Sequence, residues 1–438
     1  MALLSAAKLS DETLRLVHRS GTSAAIDLRL RHAEVHAWFA GLPVYGSLPA
    51  PTYPPASYAT LWPLIGWESF GAARWLWALS SVAVLAGLTW IVVRESGGSG
   101  AWQRAGTALL LLAMNQTGVV IGNGQLVLHV LFPLVTALLI IHRGRGSWRE
   151  DLIAAGCIMV ALTKVTLAAP FLWLVLFAPT LGTSTSTWQF RVRPALLVAA
   201  SYTLLTMFAA AFQPDGFARQ LREWLDVARL VSGRGGDYAN LNAWLDAVGV
   251  PGLVSIASVV VFAAHGAWLY RYRTVDLWTR LGVTAIVTRF WAYHRLYDDV
   301  LIVLALVALC RVVTSSNRST KQSSIIGRGA GRPARDSAVA IALLTTTMIF
   351  MLLPARLGTA GAPWHQIFTI SHTSTWVGML VFLLWQAERL HQINTSTNEV
   401  SDNAFSQSVR HGCLRLSHCF SNSSNMGSDA AFAPSSCW

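Results

Sequence analysis

The chain has 438 residues, of which only 12% are charged, and its mean hydropathy is +0.46. Soluble domains carry about 25% charged residues, so the composition excludes an ordinary soluble fold and predicts an all-α protein with several membrane helices. The formal net charge is +12. The arginines lie mostly in short segments between apolar runs, which is typical of membrane proteins with positive cytoplasmic loops and not of nucleic-acid binding.

The first 69 residues precede the first apolar run of membrane length, and we predict that they form a loop domain outside the membrane. Residues 1–26 lack the apolar stretch of a signal peptide. The prolines at the start of 54–66 predict a helix that is too short to cross the bilayer. This helix is expected to lie along the interface, with Trp62 and Trp67 as anchors.

Residues 70–391 are predicted to form a polytopic membrane domain of about nine to eleven helices. Apolar runs of about membrane length lie near 70–93, 105–121, 124–142, 191–212, 251–270, 277–291, 298–313, 337–355 and 373–390. Segment 151–178 differs because it is longer and has Lys164 at its centre. We expect two half-length helices that meet at this lysine and form a hairpin, since irregular backbone at membrane depth is tolerated where it lines a cavity.

The hairpin also decides the predicted topology. With a hairpin at 151–178, the arginine-rich loops all fall on one side, which the positive-inside rule makes cytoplasmic. The first 69 residues, the turn at 122–125 and the loop Tyr293–Asp299 then face outward. We therefore expect a multi-pass protein of the plasma (inner) membrane with an extracytoplasmic site. The Ser- and Asn-rich segment 392–438 is predicted to be a disordered cytoplasmic tail.

Several polar residues should converge on the outward side: Asp27, Arg29, Arg31, Gln125, Lys164, His294, Arg295, Asp298 and Asp299. An ionisable residue at membrane depth is by default a candidate functional residue, and Lys164 is the clearest case. Structural alternatives remain open for each. Lys164 could snorkel to the interface, and Asp27 could be a solvated loop carboxylate or a helix N-cap. The tyrosines around His294 could be interfacial anchors, with Asp298 as an N-cap.

A succession of short motifs resembles glycosyltransferase family 87, integral membrane mannosyltransferase-like proteins of the GT-C superfamily that take sugar from a polyprenyl phosphate. The motifs are Asp27-Leu28, the turn from Gly41 to Tyr45, Tyr53-Pro54-Pro55, Trp62-Pro63-Leu64, Asn123-Gly124-Gln125, Ala155-Gly156 before Lys164, and Asp237-Tyr238-Ala239-Asn240-Leu241. The resemblance spans roughly residues 27–315. It implies a GT-C-like helical bundle and a sugar transferase, with mannose as the expected sugar.

By this resemblance Asp27 takes the position of the catalytic aspartate, the general base. The further substrate-site candidates are Tyr45, Tyr53, Gln125 and Asp298. Lys164, His294 and Arg295 are cations that could hold the phosphate of the donor. The expected partners are the lipid bilayer, a polyprenyl-phosphate sugar and a glycan, glycolipid or protein acceptor. The outer loops hold no Asp-x-Asp element, so no metal site or cofactor is predicted, and the chemistry does not require a divalent metal.

Two other functions remain open. A lipid-linked substrate transporter or flippase would be expected to show paired halves and interrupted helices around a midplane ion site. A truncated, non-catalytic relative is the third interpretation. It is suggested by the membrane helix that the family pattern places before Asp27 and that we do not find there, and by Arg31, which stands where an aromatic residue is expected.

Overall fold

The computed structural model describes residues 2–19, 24–49, 51–178, 192–232, 240–326, 331–353, 361 and 363–422, and within them the chain is helical and has no strand. In chain order the α-helices are α1 (Ala2–Val17), α2 (Ile26–Phe39), α3 (Pro55–Ile65), α4 (Phe70–Glu95), α5 (Ala101–Leu112), α6 (Asn115–Asn123), α7 (Val127–Arg143), α8 (Trp148–Ala161), α9 (Val165–Ala168), α10 (Leu172–Leu176), α11 (Val192–Ala210), α12 (Phe217–Ser232), α13 (Leu241–Ala247), α14 (Val254–Arg271), α15 (Leu277–Trp291), α16 (Val303–Ile326), α17 (Gly331–Leu352) and α18 (Trp364–Asn422). Four short 3₁₀-helices accompany them, at Leu162–Lys164, Ala169–Phe171, Pro251–Leu253 and Leu296–Ile302. The prediction of an all-helical protein is confirmed for this part of the chain.

Six helical segments of the described chain are long and apolar enough to cross a membrane: Phe70–Glu95, Trp148–Leu176, Val192–Ala210, Pro251–Arg271, Arg335–Leu352 and Trp364–Ile393. The pair α5 and α6, bent by 48°, would be a seventh. The number is smaller than the nine to eleven that we predicted. Helix α7 has only 17 residues and α15 only 15, and the run near 298–313 begins as a 3₁₀-helix. Multiple membrane-length helices nevertheless indicate a multi-pass membrane protein.

One end of the bundle is closed by an ion-pair cluster of Glu95, Arg143, Asp276 and Arg311, which we call the arginine end. The Arg143 guanidinium makes two 2.7 Å hydrogen bonds to the Glu95 carboxylate. Arg311 donates to the Glu95 carbonyl at 3.0 Å and to Asp276 at 3.1 Å. Helices α4, α7, α15 and α16 therefore meet here. The opposite end, which carries Asp27 and Lys164, is the site end.

The segment from α8 to α10 turns back on itself near Lys164, as the sequence predicted. At its start Asp151 pairs with Arg193, and near its finish the Leu174 carbonyl lies 3.0 Å from Nε2 of His142, the neighbour of Arg143 at the arginine end. A straight helix would hold residues 151 and 174 about 35 Å apart. Lys164, with φ −117° and ψ 81°, leaves the helical region. Although 148–176 has the length of a single span, its contacts describe a hairpin.

The first 69 residues contain more helix than the sequence predicted. The short helix near 54–66 is present as α3, with Trp62 and Trp67 exposed, and α1 and α2 precede it. Asp27 lies in the first turn of α2, and the N-cap is Ala25. Both structural alternatives for Asp27, a loop carboxylate and an N-cap, are therefore wrong. Charged and apolar residues alternate along 2–17, and the sequence analysis did not predict a helix there.

The contacts divide the chain into two compact units, Met1–Ala387 and Glu388–Trp438. The predicted disordered tail, 392–438, falls entirely in the second unit. Residues 392–422 are instead helical, as the continuation of α18, and residues 423–438 lie outside the described chain. The physical reason is that 392–422 contains no proline. A helix already nucleated by an apolar segment can extend through Ser and Asn at little cost per residue.

Candidate functional site

Helix α2 lies directly on the turn that follows α6. Gly124 has φ +68°, and a Cβ added to it would lie only 2.5 Å from the Cβ of Leu28. Ala25 also has a positive φ, +50°, and its N–H donates to the Gly122 carbonyl at 3.2 Å. A left-handed alanine costs about 1–2 kcal/mol, so the surrounding contacts hold this turn in place. The glycine in Asn123-Gly124-Gln125 is therefore required for the close approach of α2.

This contact brings Gln125 to Asp27. The buried Gln125 side chain donates a hydrogen bond to the Asp27 carboxylate, which remains partly exposed. Burial raises the pKa of Asp27 above its usual value, while the Gln125 hydrogen bond and the positive charges of Arg31, Lys164 and Arg295 oppose that shift. A carboxylate that is accessible and more basic than an ordinary aspartate can accept a proton from a bound hydroxyl.

Lys164 is held inside the protein and does not snorkel. Its ammonium forms an ion pair with Asp298 and lies 5.2 Å from the centre of the Tyr297 ring. Just before it, the Thr163 carbonyl accepts a 2.9 Å hydrogen bond from the Ser57 hydroxyl. Helix α3 and the 3₁₀-helix Leu296–Ile302 thus both fix the apex of the hairpin. The snorkelling interpretation of Lys164 is wrong in this structure because its partner is a buried carboxylate.

Asp298 also joins the residues before it. The Arg295 N–H donates to its Oδ2 at 3.0 Å, and Nδ1 of His294 lies 3.3 Å from the same oxygen. Arg295 is the N-cap of this 3₁₀-helix and Asp298 binds back to it, so the alternative with Asp298 as the N-cap is wrong. His294 is only 1% exposed. His294 therefore orients Asp298 from the buried side. It is not placed to contact a phosphate, although we had predicted it as one of the phosphate-binding cations.

Arg295 is the accessible cation of this loop. Its side chain is exposed, and its Nε donates a 2.6 Å hydrogen bond to the hydroxyl of Tyr293. The charge of Arg295 acts on the Asp27 carboxylate together with that of Lys164. The structure thus places Lys164 and Arg295 near Asp27, one buried and one facing solvent.

The two predicted tyrosines have different surroundings. The Tyr45 hydroxyl donates to the Tyr53 carbonyl at 2.7 Å, and its ring packs edge-on against Trp38 at 5.6 Å. Tyr45 therefore holds the loop 40–54 together. The Tyr53 ring faces the site, since the guanidinium carbon of Arg31 lies 4.3 Å from its centre.

The sequence analysis missed the role of Arg31 and its partner Glu34. The Arg31 guanidinium lies 2.7 Å from the Glu34 carboxylate, and both side chains are buried. Burial raises the pKa of Glu34 to about 7, against the opposing charge of Arg31. The signal was present: Asp27, Arg31 and Glu34 are spaced four and three residues apart, which places them on one face of a helix. The sequence analysis placed Arg31 on the outward side and noted it as a departure from the family pattern, but it predicted no partner for this residue.

A second buried pair, Arg289 with Asp299, was also missed. The Arg289 guanidinium carbon lies 5.0 Å from the centre of the Trp376 ring. An arginine inside the apolar run 277–291 was the available signal, because a charge within a membrane segment is expensive and is usually paired. The pair is placed next to Asp298 in the chain and links the Tyr293–Asp299 loop to α15.

Within the described ranges, no three His, Cys, Asp or Glu side chains stand close enough to hold a metal ion.

In the motif Asp237-Tyr238-Ala239-Asn240-Leu241, the first three residues lie outside the described chain. Asn240 is the N-cap of α13 and accepts a 2.9 Å hydrogen bond from the Ala243 N–H.

No protein-family model, no curated protein and no solved structure matches the chain. The resemblance to glycosyltransferase family 87 therefore stays a prediction.

Proposed function

We propose that the protein is a membrane glycosyltransferase that transfers a sugar from a polyprenyl phosphate to an acceptor hydroxyl, with Asp27 as the general base. One observation carries the proposal: an accessible carboxylate, its amide partner and two cations come together from four separate parts of the chain, at Asp27, Gln125, Lys164 and Arg295. Mannose as the sugar follows from the family resemblance alone. The GT-C assignment is part of the same proposal.

The reaction would be a single displacement with inversion. The acceptor oxygen forms a bond to the anomeric carbon, and the bond from that carbon to the phosphate oxygen breaks. The electron pair leaves with the phosphate, and the acceptor proton passes to the Asp27 carboxylate. No covalent intermediate with the protein is needed.

Negative charge grows on the departing phosphate in this step. Fixed cations aimed at that charge stabilise the transition state more than the ground state. Arg295 is exposed and can approach a phosphate directly, while Lys164 contributes its charge from the side of Asp298. Because the arginine end is cytoplasmic under the positive-inside rule, the site end would face the extracytoplasmic side of the inner membrane.

The test is transfer by the purified protein in lipid nanodiscs, with radiolabelled mannosyl polyprenyl phosphate as donor and a panel of glycolipid and oligosaccharide acceptors. We expect labelled product with the wild-type chain and a large loss with Asp27→Asn. A transferase would be contradicted if neither the mannosyl donor nor other hexosyl donors were transferred or hydrolysed with any of the acceptors.

A transporter of lipid-linked sugars is the second candidate, favoured by the buried pair of Arg289 and Asp299. Intramembrane ionisable residues also mark ion and substrate pathways. In sealed vesicles, a transporter would move the labelled donor between leaflets with no new glycosidic bond. Movement abolished by Arg289→Gln but insensitive to Asp27→Asn would favour this second function over the first.

A further inference from the structure

Helix α12 has two chemically different faces. Five of its apolar residues lie on one helical face, at Phe217, Leu221, Trp224, Leu225 and Ala228, while the exposed Leu230 lies among the charged residues. The opposite face carries the charged residues Arg219, Arg222, Glu223, Asp226 and Arg229. Such a division is typical of a helix that lies at a boundary between apolar and aqueous surroundings.

Part of the apolar face of α12 is exposed in the described part of the chain, while Trp224 on the same face packs against the protein. Phe217, Leu221 and Leu225 are 38%, 36% and 39% exposed. The helix follows directly after α11, a candidate membrane span, on which Leu204 and Phe208 are exposed as well. Side chains that are apolar and exposed on a spanning helix face lipid. The exposed apolar residues of α12 thus come directly after those of a candidate span in the chain, and a hydrogen-bonded contact between Gln220 and Ala210 keeps the start of α12 at the end of that span.

Three hydrogen bonds place α12 at the site end of the bundle. The Gln220 amide donates to the Ala210 carbonyl at 3.3 Å, which holds the first turns of α12 against the end of α11. The Gln213 amide donates to the Trp38 carbonyl in α2 at 2.7 Å. The indole N–H of Trp224 donates to the Thr52 carbonyl at 2.9 Å. Thr52 precedes Tyr53, the ring that faces Arg31.

We propose that α12 is a membrane-surface helix: its apolar face enters the lipid leaflet at the site end, and Trp224 ties the Thr52–Tyr53 segment to it. The partner is the boundary between headgroups and acyl chains. The wall of the site around Arg31 is thereby anchored to the surface from which a lipid-borne substrate would arrive. The inference rests on the membrane placement of α11 and does not require the proposed transferase activity.

The charges of α12 indicate what kind of lipid surface it fits. Arg219 lies 2.8 Å from Asp215 and 2.9 Å from Glu223, and Arg229 lies 3.2 Å from Asp226. The helix holds three arginines and two acids, and these local pairs neutralise most of the charge of its polar face. The helix should therefore bind through its apolar face, with little dependence on anionic lipids or salt.

The test uses the full chain with its native cysteines replaced, in nanodiscs of phosphatidylcholine. Spin labels are placed one at a time at Leu221→Cys and Leu225→Cys on the apolar face, and at Arg222→Cys and Asp226→Cys on the polar face. We expect the first two labels to collide mainly with oxygen, which is enriched in lipid, and the last two with a water-soluble nickel chelate. Replacing a third of the lipid with phosphatidylglycerol should leave this pattern unchanged.

Equal nickel accessibility at all four positions would overturn the proposal, because the helix would then lie in water. Protection of the apolar-face labels from both reagents would also overturn it, by showing a protein partner in place of lipid.

The hydrogen bond from Trp224 to the Thr52 carbonyl has its own test. A label at Thr52→Cys should become more mobile in Trp224→Phe, which keeps the ring but loses the indole donor, and stay unchanged in the control Trp244→Phe. Equal mobility in both would contradict the anchoring role.

Discussion

The side-chain amide of Gln125 hydrogen-bonds the carboxyl group of Asp27, and this contact joins the turn after α6 to the first turn of α2. It exists because Gly124 lets the backbone of the turn approach Leu28. The position of the proposed base is thus set by a second element of the chain and not by α2 alone.

Replacing Asp27 with Asn should lower turnover by about 10²–10⁴-fold, because Asn keeps the size and the hydrogen bond to Gln125 but does not accept a proton. The measurement is transfer under saturating donor, with donor affinity determined separately. Asp11→Asn is the matched control, since Asp11 on α1 is an exposed carboxylate that pairs with Arg19, just after the helix. Near-normal turnover in a folded Asp27→Asn variant would move the base to another carboxylate, with Glu34 as the first candidate.

Adding one methyl group at Gly124 should disrupt the site. Gly124→Ala forces a left-handed alanine and a contact of 2.5 Å with Leu28, so α2 must shift and activity should fall at least tenfold. Gly46→Ala is the control: Gly46 also has a positive φ, +85°, but a Cβ there meets nothing within 4 Å. Transfer rates and thermal stability of the two variants are compared. Equal losses would show that backbone strain, and not the contact with α2, is what matters.

Removal of Lys164 separates its structural role from its role toward the donor. Lys164→Met leaves the Asp298 carboxylate buried without its main partner and should cost about 3–5 kcal/mol of stability. The double variant Lys164→Met/Asp298→Asn should recover most of that stability and still use the donor poorly. Arg295→Ala, at an exposed position, should weaken donor use by about 1–3 kcal/mol with little effect on folding. Normal donor use in the double variant and in Arg295→Ala would assign both cations to structure alone.

The stability of the first loop domain should depend on pH through Glu34. Burial raises the pKa of Glu34 from 4.5 to about 7 in the folded protein, so the folded state holds this proton more tightly than the unfolded state. The resulting stabilisation is complete below about pH 4.5 and is lost as the pH rises through 7, by up to about 3 kcal/mol. Glu34→Gln should flatten the difference in melting temperature between pH 5 and pH 8. An unchanged difference would exclude Glu34 as its source.

Cysteine labelling can test the hairpin directly. Ser99→Cys and Thr274→Cys, in a chain without native cysteines, should label from the same side of the membrane, because both flank the arginine-end cluster. Ser47→Cys, near the site, should label from the opposite side. If 148–176 crossed the membrane once, every later loop would be reversed relative to the earlier ones. Labelling of Ser99→Cys and Thr274→Cys from opposite sides would therefore refute the hairpin.

The sequence was sufficient to predict local structure where one residue type strongly constrains the backbone or the surroundings of its side chain. A lysine in the middle of an apolar run predicted both the break and the hairpin at Lys164, since the charge has to find a partner. Proline and glycine likewise located α3 and the turn at Gly124. The predicted topology placed Gln125 and Asp27 on the same side of the membrane, but it did not predict the direct contact between their side chains.

Pairings inside the site could not be predicted in the same way. That Lys164 pairs with Asp298, and that His294 is buried behind it, depends on how the 3₁₀-helix Leu296–Ile302 packs, which periodicity does not reveal. The Arg31–Glu34 pair was hidden for another reason. Charged residues three apart on a surface helix are usually solvated, and only the burial of α2 under the loop with Tyr53 makes this pair a structural one.

The hairpin apex also sets an order of assembly. Lys164 is synthesised long before Asp298, and the Thr166 carbonyl beside it accepts its 3.0 Å hydrogen bond from Trp291 at the end of α15. A growing chain that has reached α14 therefore holds Lys164 without its partner Asp298, and the Thr166 carbonyl without its donor Trp291. The ion pair that holds the hairpin apex can therefore form only after about two thirds of the chain has been made, so this junction is completed late in synthesis.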